Sequence, residues 1–126
     1  MRLLIVRHAE AAPGEPDALR KLTSDGRDQA RALGEHLRGR GFVPDAVVTS
    51  PLLRARETAA ALALGEPEID ERLAPGASPE DVRNAARGRG ETVVVVGHQP
   101  DCSQAVLALA GADVPFRPAG SYEIEL

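Results

Sequence analysis

Two of the three histidines in this 126-residue chain stand at the very end of an apolar run. His8 closes Leu3-Leu4-Ile5-Val6-Arg7-His8, and His98 closes Val93-Val94-Val95-Val96-Gly97-His98. A neutral imidazole can attack phosphorus, and an unperturbed histidine, with a pKa of about 6.5, is largely neutral at pH 7. Arg7 adds a planar guanidinium suited to gripping an oxyanion and neutralising charge that builds on it. A further arginine comes from Ser50-Pro51-Leu52-Leu53-Arg54-Ala55-Arg56-Glu57-Thr58-Ala59, where Arg54 falls in the first turn of an expected helix. Free N–H groups and the positive end of the helix dipole gather there, so Arg54 can meet an anion. Thr58, four residues on, shares its face and is expected to orient it. Together these residues describe a site for an anion with a nucleophile inside it.

Structural readings compete with this one. A histidine at a strand end can simply cap a packed core, and His8 taken alone fits either view. The Gly97-His98 pair shifts the balance, because two strands ending in Arg-His and Gly-His are difficult to explain as packing. Gly97 is expected to let the backbone approach a ligand closely. Arg56 reads as a solvated arginine, and His36 as a bystander beside the charged face of its helix. Cys102 reads as a small buried residue. It does not follow a histidine, and no arginine lies in the loop after it, so a cysteine phosphatase is excluded. A metal-dependent hydrolase is not expected either, since His8 and His98 lack a close cluster of further ligands.

The elements that must position these groups follow from periodicity. Arg2–Val6 is a continuous apolar run, read as a buried strand. Residues 9–22 form a polar loop containing Pro13, Gly14 and Pro16. Thr23 or Ser24 caps a helix whose Ala30, Leu33, Gly34 and Leu37 share one face, and Gly39 and Gly41 stop it. Asp45–Thr49 is a second strand, and Pro51 takes the first position of a second helix running to about Leu64. A short strand near Glu68–Asp70 leads into a loop over residues 74–78. Ser78-Pro79-Glu80-Asp81 opens a third helix, with a cap, a proline and acids in its first turn. Thr92–Val96 is the most apolar strand and is expected at the centre of the sheet. A helix from about Pro100 to Ala110 and an alternating edge strand, Ser121–Leu126, complete the chain. Strands alternating with helices predict a three-layer α/β/α sandwich around a mainly parallel sheet, as one domain over residues 1–126.

Composition narrows the function classes. Aromatic residues make up only 2% of the chain against 43% apolar overall, so the core must be built from Leu, Val, Ile and Ala. That suits parallel strands covered by small-residue helices. A net charge of −4 with no basic stripe argues against nucleic acid as a partner. Of 15 basic residues only Lys21 is a lysine, a skew that favours two-pronged anion binding. One cysteine allows no intrachain disulfide. No stretch approaches the roughly 20 apolar residues of a membrane span, and Met1 leads straight into a strand, so a cytoplasmic, membrane-free protein is expected.

LLIVRHAEA, VTSPLLRARETA and VVVVGHQPD, in this order, resemble the three signatures of the histidine phosphatase superfamily, the phosphoglycerate mutase-like proteins. The short chain, with LTSDGRDQA and LAPGASPEDV, is most similar to its small bacterial branch, the SixA-type phosphohistidine phosphatases. The resemblance runs from Leu3 to about Asp101. It implies a phosphoglycerate mutase-like fold and a catalytic set of His8, Arg7, Arg54 and His98. His8 would attack phosphorus and become phosphohistidine, Arg7 and Arg54 would hold the phosphoryl oxygens, and His98 would contact the same oxygens in the transition state. Water would then hydrolyse the intermediate, with no metal or other cofactor.

A general acid is where the pattern thins. Larger relatives carry a glutamate in or near an insertion that this chain lacks. Glu71 is the nearest positional match, while Glu10 and Asp101 lie near strand ends, and the acid stays unassigned among them. An alkoxide leaving group needs a delivered proton, whereas a phosphoimidazole needs far less help. The missing insertions also imply an open site that a protein surface could enter. The expected substrate is therefore phosphohistidine on a phosphotransfer protein. A small-molecule phosphomonoesterase is the enzymatic alternative, and a non-catalytic phosphoprotein-binding module the alternative of another class.

Overall fold

In a computed structural model, which describes residues 1–126, the apolar runs become strands of one sheet. β1 (Arg2–Arg7), β2 (Ala46–Thr49), β3 (Pro67–Ile69), β4 (Thr92–Gly97) and β5 (Ser121–Glu125) lie in the order β3-β2-β4-β1-β5. All neighbours are parallel except the edge pair β1 and β5. β4 occupies the middle, as its unbroken valine run predicts.

The helices α1 (Ser24–Gly39), α2 (Leu53–Leu62), α3 (Pro79–Ala86) and α4 (Asp101–Ala110) cover both faces. Alternate strand residues point to opposite sides. Leu4, Val6, Val47, Val94 and Val96 pack with Leu37 of α1 and Ala55, Ala59 and Leu62 of α2. Leu3, Ile5, Val48, Val93 and Val95 pack with Val82, Ala85 and Ala86 of α3 and with Ala105 and Val106 of α4. Both faces being buried is why these strands read as continuous apolar runs rather than alternating ones. The expected three-layer sandwich is the observed one.

Local rules account for the helix starts. The Thr23 side chain accepts from Gly26 N–H at the head of α1, and Ser78 and Asp81 form a reciprocal capping box at the head of α3. Gly34 is glycine because α1 crosses α2 there, and a Cβ would collide with the Leu62 carbonyl. α2 departs from expectation. Ser50 Oγ accepts from Leu52 N–H over 3.2 Å, which turns the chain at Pro51 and delays the helix until Leu53. β3 also begins and ends one residue before the expected Glu68–Asp70.

Register converts this architecture into a site. In the parallel sheet Arg7 lies opposite Gly97, and Thr49 lies opposite Val96. The residues that follow each strand, His8, His98 and Ser50, therefore leave the sheet side by side at one carboxyl edge. That edge is where open α/β sheets bind ligands.

Candidate active site

The main chain around His8 is pinned on three sides. His8 N–H donates to the Gly97 carbonyl over 3.0 Å, and Ala119 N–H donates to the His8 carbonyl over 3.2 Å. Ala9 N–H donates to Thr58 Oγ1 over 3.0 Å, and the Thr58 hydroxyl donates to the Arg54 carbonyl over 2.8 Å. Thr58 thus ties the exit of β1 to α2. It engages Arg54 through the backbone carbonyl.

The two imidazoles stand with ring centroids 5.2 Å apart and planes inclined at 58°. His8 Nδ1 lies 2.7 Å from the Ala9 carbonyl, which can only accept, so that nitrogen carries the proton. Nε2 of neutral His8 is then the nitrogen with the free lone pair. Burial lowers the His8 pKa below the ordinary histidine value; the Ala9 hydrogen bond opposes this, and the nearby charges of Arg54, Arg7 and Arg20 reinforce it. His98 is buried, with Nε2 2.7 Å from Ser50 Oγ. Burial, then His8 and Arg54, push its pKa down to about 4, against the pull of Asp17. At neutral pH both rings are uncharged.

The arginines supply the positive charge. Arg7 Nη1 donates to the Phe116 carbonyl over 2.9 Å, which anchors the far end of its fork. Arg54 is buried and donates from Nη1 to the Asp17 carbonyl over 3.0 Å and from Nη2 to the Asp17 carboxylate over 3.3 Å. Arg20 Nη1 also reaches the Asp17 carboxylate, over 3.2 Å. Arg20 holds Asp17 below the usual carboxylate range, with Arg54 adding to the effect. Asp17 and Arg20 belong to the loop between β1 and α1, which sequence reasoning left without a role. Their Asp17-Ala18-Leu19-Arg20 spacing, one turn apart within a short 3-10 turn and its cap, was the available signal.

Three buried side-chain nitrogens have no hydrogen-bond partner: Arg7 Nε, Arg54 Nε and His98 Nδ1. Unpaired buried polar groups are costly and rare in folded chains. Here each belongs to one of the residues singled out for an anion site. None of the three surface cavities is lined by these residues.

The carboxylates considered as acids are engaged elsewhere or exposed. Asp101 is buried at the start of α4, where it accepts from the Gly76 and Ala77 amides and clamps the loop before α3. Glu10 is exposed and accepts from the Thr23 hydroxyl over 2.8 Å. Glu71 is exposed in a 3-10 turn, Glu71–Leu73. None of them is hydrogen-bonded to His8, His98, Arg7 or Arg54. A Cβ at Gly97 would meet only Cys102 Sγ, at an ordinary 3.8 Å, so packing within the chain does not by itself require the glycine. Cys102 is buried as expected, with its thiol pKa pushed up to about 12 by burial. His36 and Arg56 are exposed.

Residues 3–75 match the family model of the histidine phosphatase superfamily, branch 1. The chain belongs to the histidine phosphatase superfamily. The matched segment holds Arg7, His8 and Arg54, while His98 lies beyond it. An uncharacterized protein of Picosynechococcus sp. is 34% identical over 121 residues, a span covering 87% of this chain and 73% of that protein. The phosphohistidine phosphatase SixA of Escherichia coli is 37% identical over 59 residues, covering 46% of this chain and 37% of that protein. A solved structure of the protein histidine phosphatase SixA complexed with tungstate superposes with a TM-score of 0.89 at 25% identity, covering 100% of this chain and 88% of that one. This histidine phosphatase thus has the SixA-like, phosphoglycerate mutase-like fold. No helix in it is long and apolar enough to cross a membrane.

Proposed function

We propose that this histidine phosphatase removes the phosphoryl group from a phosphohistidine of a phosphotransfer protein, through a covalent intermediate on His8. The observation that carries the reading is that Arg7, Arg54 and His98 each keep a buried nitrogen unpaired, while His8, whose ring centroid lies 5.2 Å from that of His98, keeps Nε2 free. A tetrahedral oxyanion offers enough acceptor lone pairs to satisfy all of them. The SixA neighbour's complex with tungstate, another tetrahedral oxyanion, agrees with this ligand class.

In the first step His8 Nε2 donates its lone pair to phosphorus while the bond from phosphorus to the substrate nitrogen breaks. The departing imidazole keeps that electron pair and takes a proton from water. In the second step water attacks phosphorus, the bond to His8 Nε2 breaks, and inorganic phosphate leaves with His8 neutral again. Arg7 and Arg54 neutralise charge on the transferring oxygens, and His98 supports them, so the catalysis is positioning plus electrostatics. These groups supply the charge stabilisation that a metal ion would otherwise provide.

The identity of the leaving group follows from the acids. Glu10, Glu71 and Asp101 are not bonded to the histidines and arginines of the site, and Asp17, which is bonded to Arg54, is kept ionised by Arg20 and Arg54 and so is a poor proton donor to an alkoxide. A phosphoimidazole tolerates a site without a dedicated acid, and the lack of the larger relatives' insertions leaves room for a protein surface. The 126 residues act as one catalytic domain, and the lone buried thiol suits a reducing, cytoplasmic setting.

The test compares kcat/KM on a phosphohistidine-bearing domain, an aryl phosphate and an alkyl phosphate, with His8→Ala as the blank. A strong preference for the phosphohistidine domain is expected. Equal or better turnover of the alkyl ester would reveal a working general acid and make the protein a small-molecule phosphomonoesterase. Phosphate binding without turnover of any of them would make it a phosphoprotein-binding module.

A further inference from the structure

Ser50 is fully buried at the end of β2, and its hydroxyl oxygen is engaged twice. Leu52 N–H donates to it over 3.2 Å, and His98 Nε2 lies 2.7 Å away. A serine hydroxyl has one hydrogen to give. The one acceptor bonded to Ser50 Oγ is His98 Nε2, since the other partner, an amide, can only donate. Donation to Nε2 makes that nitrogen the bare one, and the proton of neutral His98 must then sit on Nδ1.

The opposite tautomer fails on the Ser50 side. It would set Nε2–H against Ser50 and leave the buried hydroxyl hydrogen without an acceptor, since Leu52 N–H can only donate. His98 Nδ1 is buried without any partner in the chain and so leaves the choice to Ser50. On the phosphoryl-transfer reading the opposite tautomer would also turn an Nδ1 lone pair toward an oxyanion held by Arg7 and Arg54, where like charge repels.

We infer that Ser50 is a positioning residue that locks neutral His98 as its Nδ1–H tautomer and so makes His98 a hydrogen-bond donor to the phosphoryl group. The chain of bonds runs from Leu52 N–H to Ser50, from Ser50 to His98 Nε2, and from His98 Nδ1–H to a phosphoryl oxygen. The device matters because His98 stays neutral. A charged imidazole would donate from both nitrogens without help, whereas a neutral one must be told which nitrogen keeps the proton. The link to catalysis rests on the phosphoryl-transfer reading of the site, but the tautomer itself does not.

Nitrogen-15 NMR of the intact chain at pH 7 distinguishes protonated from bare ring nitrogens and decides the matter. The expected result for wild type is a protonated Nδ1 and a bare Nε2 on His98. In Ser50→Ala the proton should shift toward Nε2, and kcat/KM should fall by about tenfold, the scale of one hydrogen bond. Ser50→Thr keeps the hydroxyl and should restore both. A protonated Nε2 in wild type would overturn the inference, as would an unchanged tautomer in Ser50→Ala. Should Ser50→Ala fail to fold, the wild-type tautomer still settles the question. An Nδ1–H tautomer in a chain without phosphatase activity would uphold the role of Ser50 and remove the functional reading instead.

Discussion

His8 and His98 leave adjacent parallel strands at the same edge, yet they are anchored through opposite nitrogens. His8 gives its Nδ1 proton to the Ala9 carbonyl and keeps Nε2 free, whereas His98 is held at Nε2 by Ser50 and keeps Nδ1 free. One ring therefore presents a lone pair and the other a hydrogen. The first is what a nucleophile needs, and the second is what a charge-stabilising donor needs. Identical side chains acquire different chemistry from the neighbour each one bonds.

Removing the nucleophile breaks this comparison most severely. His8→Ala is expected to lower kcat by at least about a thousandfold and to abolish acid-labile phosphate labelling of the protein. Activity within tenfold of wild type would contradict the assignment. His98→Ala should cost about a hundredfold, the scale of one lost donor at a developing oxyanion, while labelling of His8 persists at a reduced rate. An equal loss of labelling and turnover in both variants would mean the rings do not divide the work as described.

The arginine partners sharpen the picture at smaller amplitude. Arg54→Ala should weaken inhibition by phosphate or vanadate by about tenfold, as loss of a charge-assisted bond predicts. An unchanged inhibition constant would remove Arg54 from the site. Asp17→Asn acts in the opposite direction. It frees Arg54 Nη2 from a competing carboxylate, so phosphate should bind about twofold more tightly, a small effect because Asp17 is exposed.

Titration separates the rings further. Burial holds both pKa values below the ordinary value of about 6.5, with His98 near 4. An NMR titration should give midpoints below 6.5 for each ring and the lower one for His98. The linkage has a definite sign. The unfolded chain takes up these protons near pH 6.5 and the folded chain only at lower pH, so stability is fully present above 6.5 and declines as pH falls toward 4. A midpoint above 6.5 for either ring, or stability rising on acidification through this window, would contradict the buried neutral pair.

Much of this could be read from the chain before any fold was seen. Leu3–Val6 and Val93–Val96 announce buried strands because both faces are covered. Thr23 and Ser78 announce helix starts because capping is local. Arg7, His8, Arg54 and His98 stand out because they sit beside such signals. What escaped depends on partners distant in sequence. Asp17 meets Arg54 across 37 residues, and Ser50 meets His98 across 48 through the β2–β4 register. Asp101 lies near a strand end and starts a helix, but its partners, the Gly76 and Ala77 amides, lie in a loop on the other side of β4 in sequence. The late start of α2 escaped because Ser50 Oγ captures the Leu52 amide, which no proline rule anticipates.

The central claim is that His8 attacks through Nε2. Trapping the intermediate with a phosphohistidine-bearing substrate and mapping the acid-labile phosphate tests it directly. The account predicts phosphate on His8 alone, bonded to Nε2 because Nδ1 is committed to Ala9. Phosphate on His98, phosphate on Nδ1 of His8, or turnover through no covalent intermediate would contradict it.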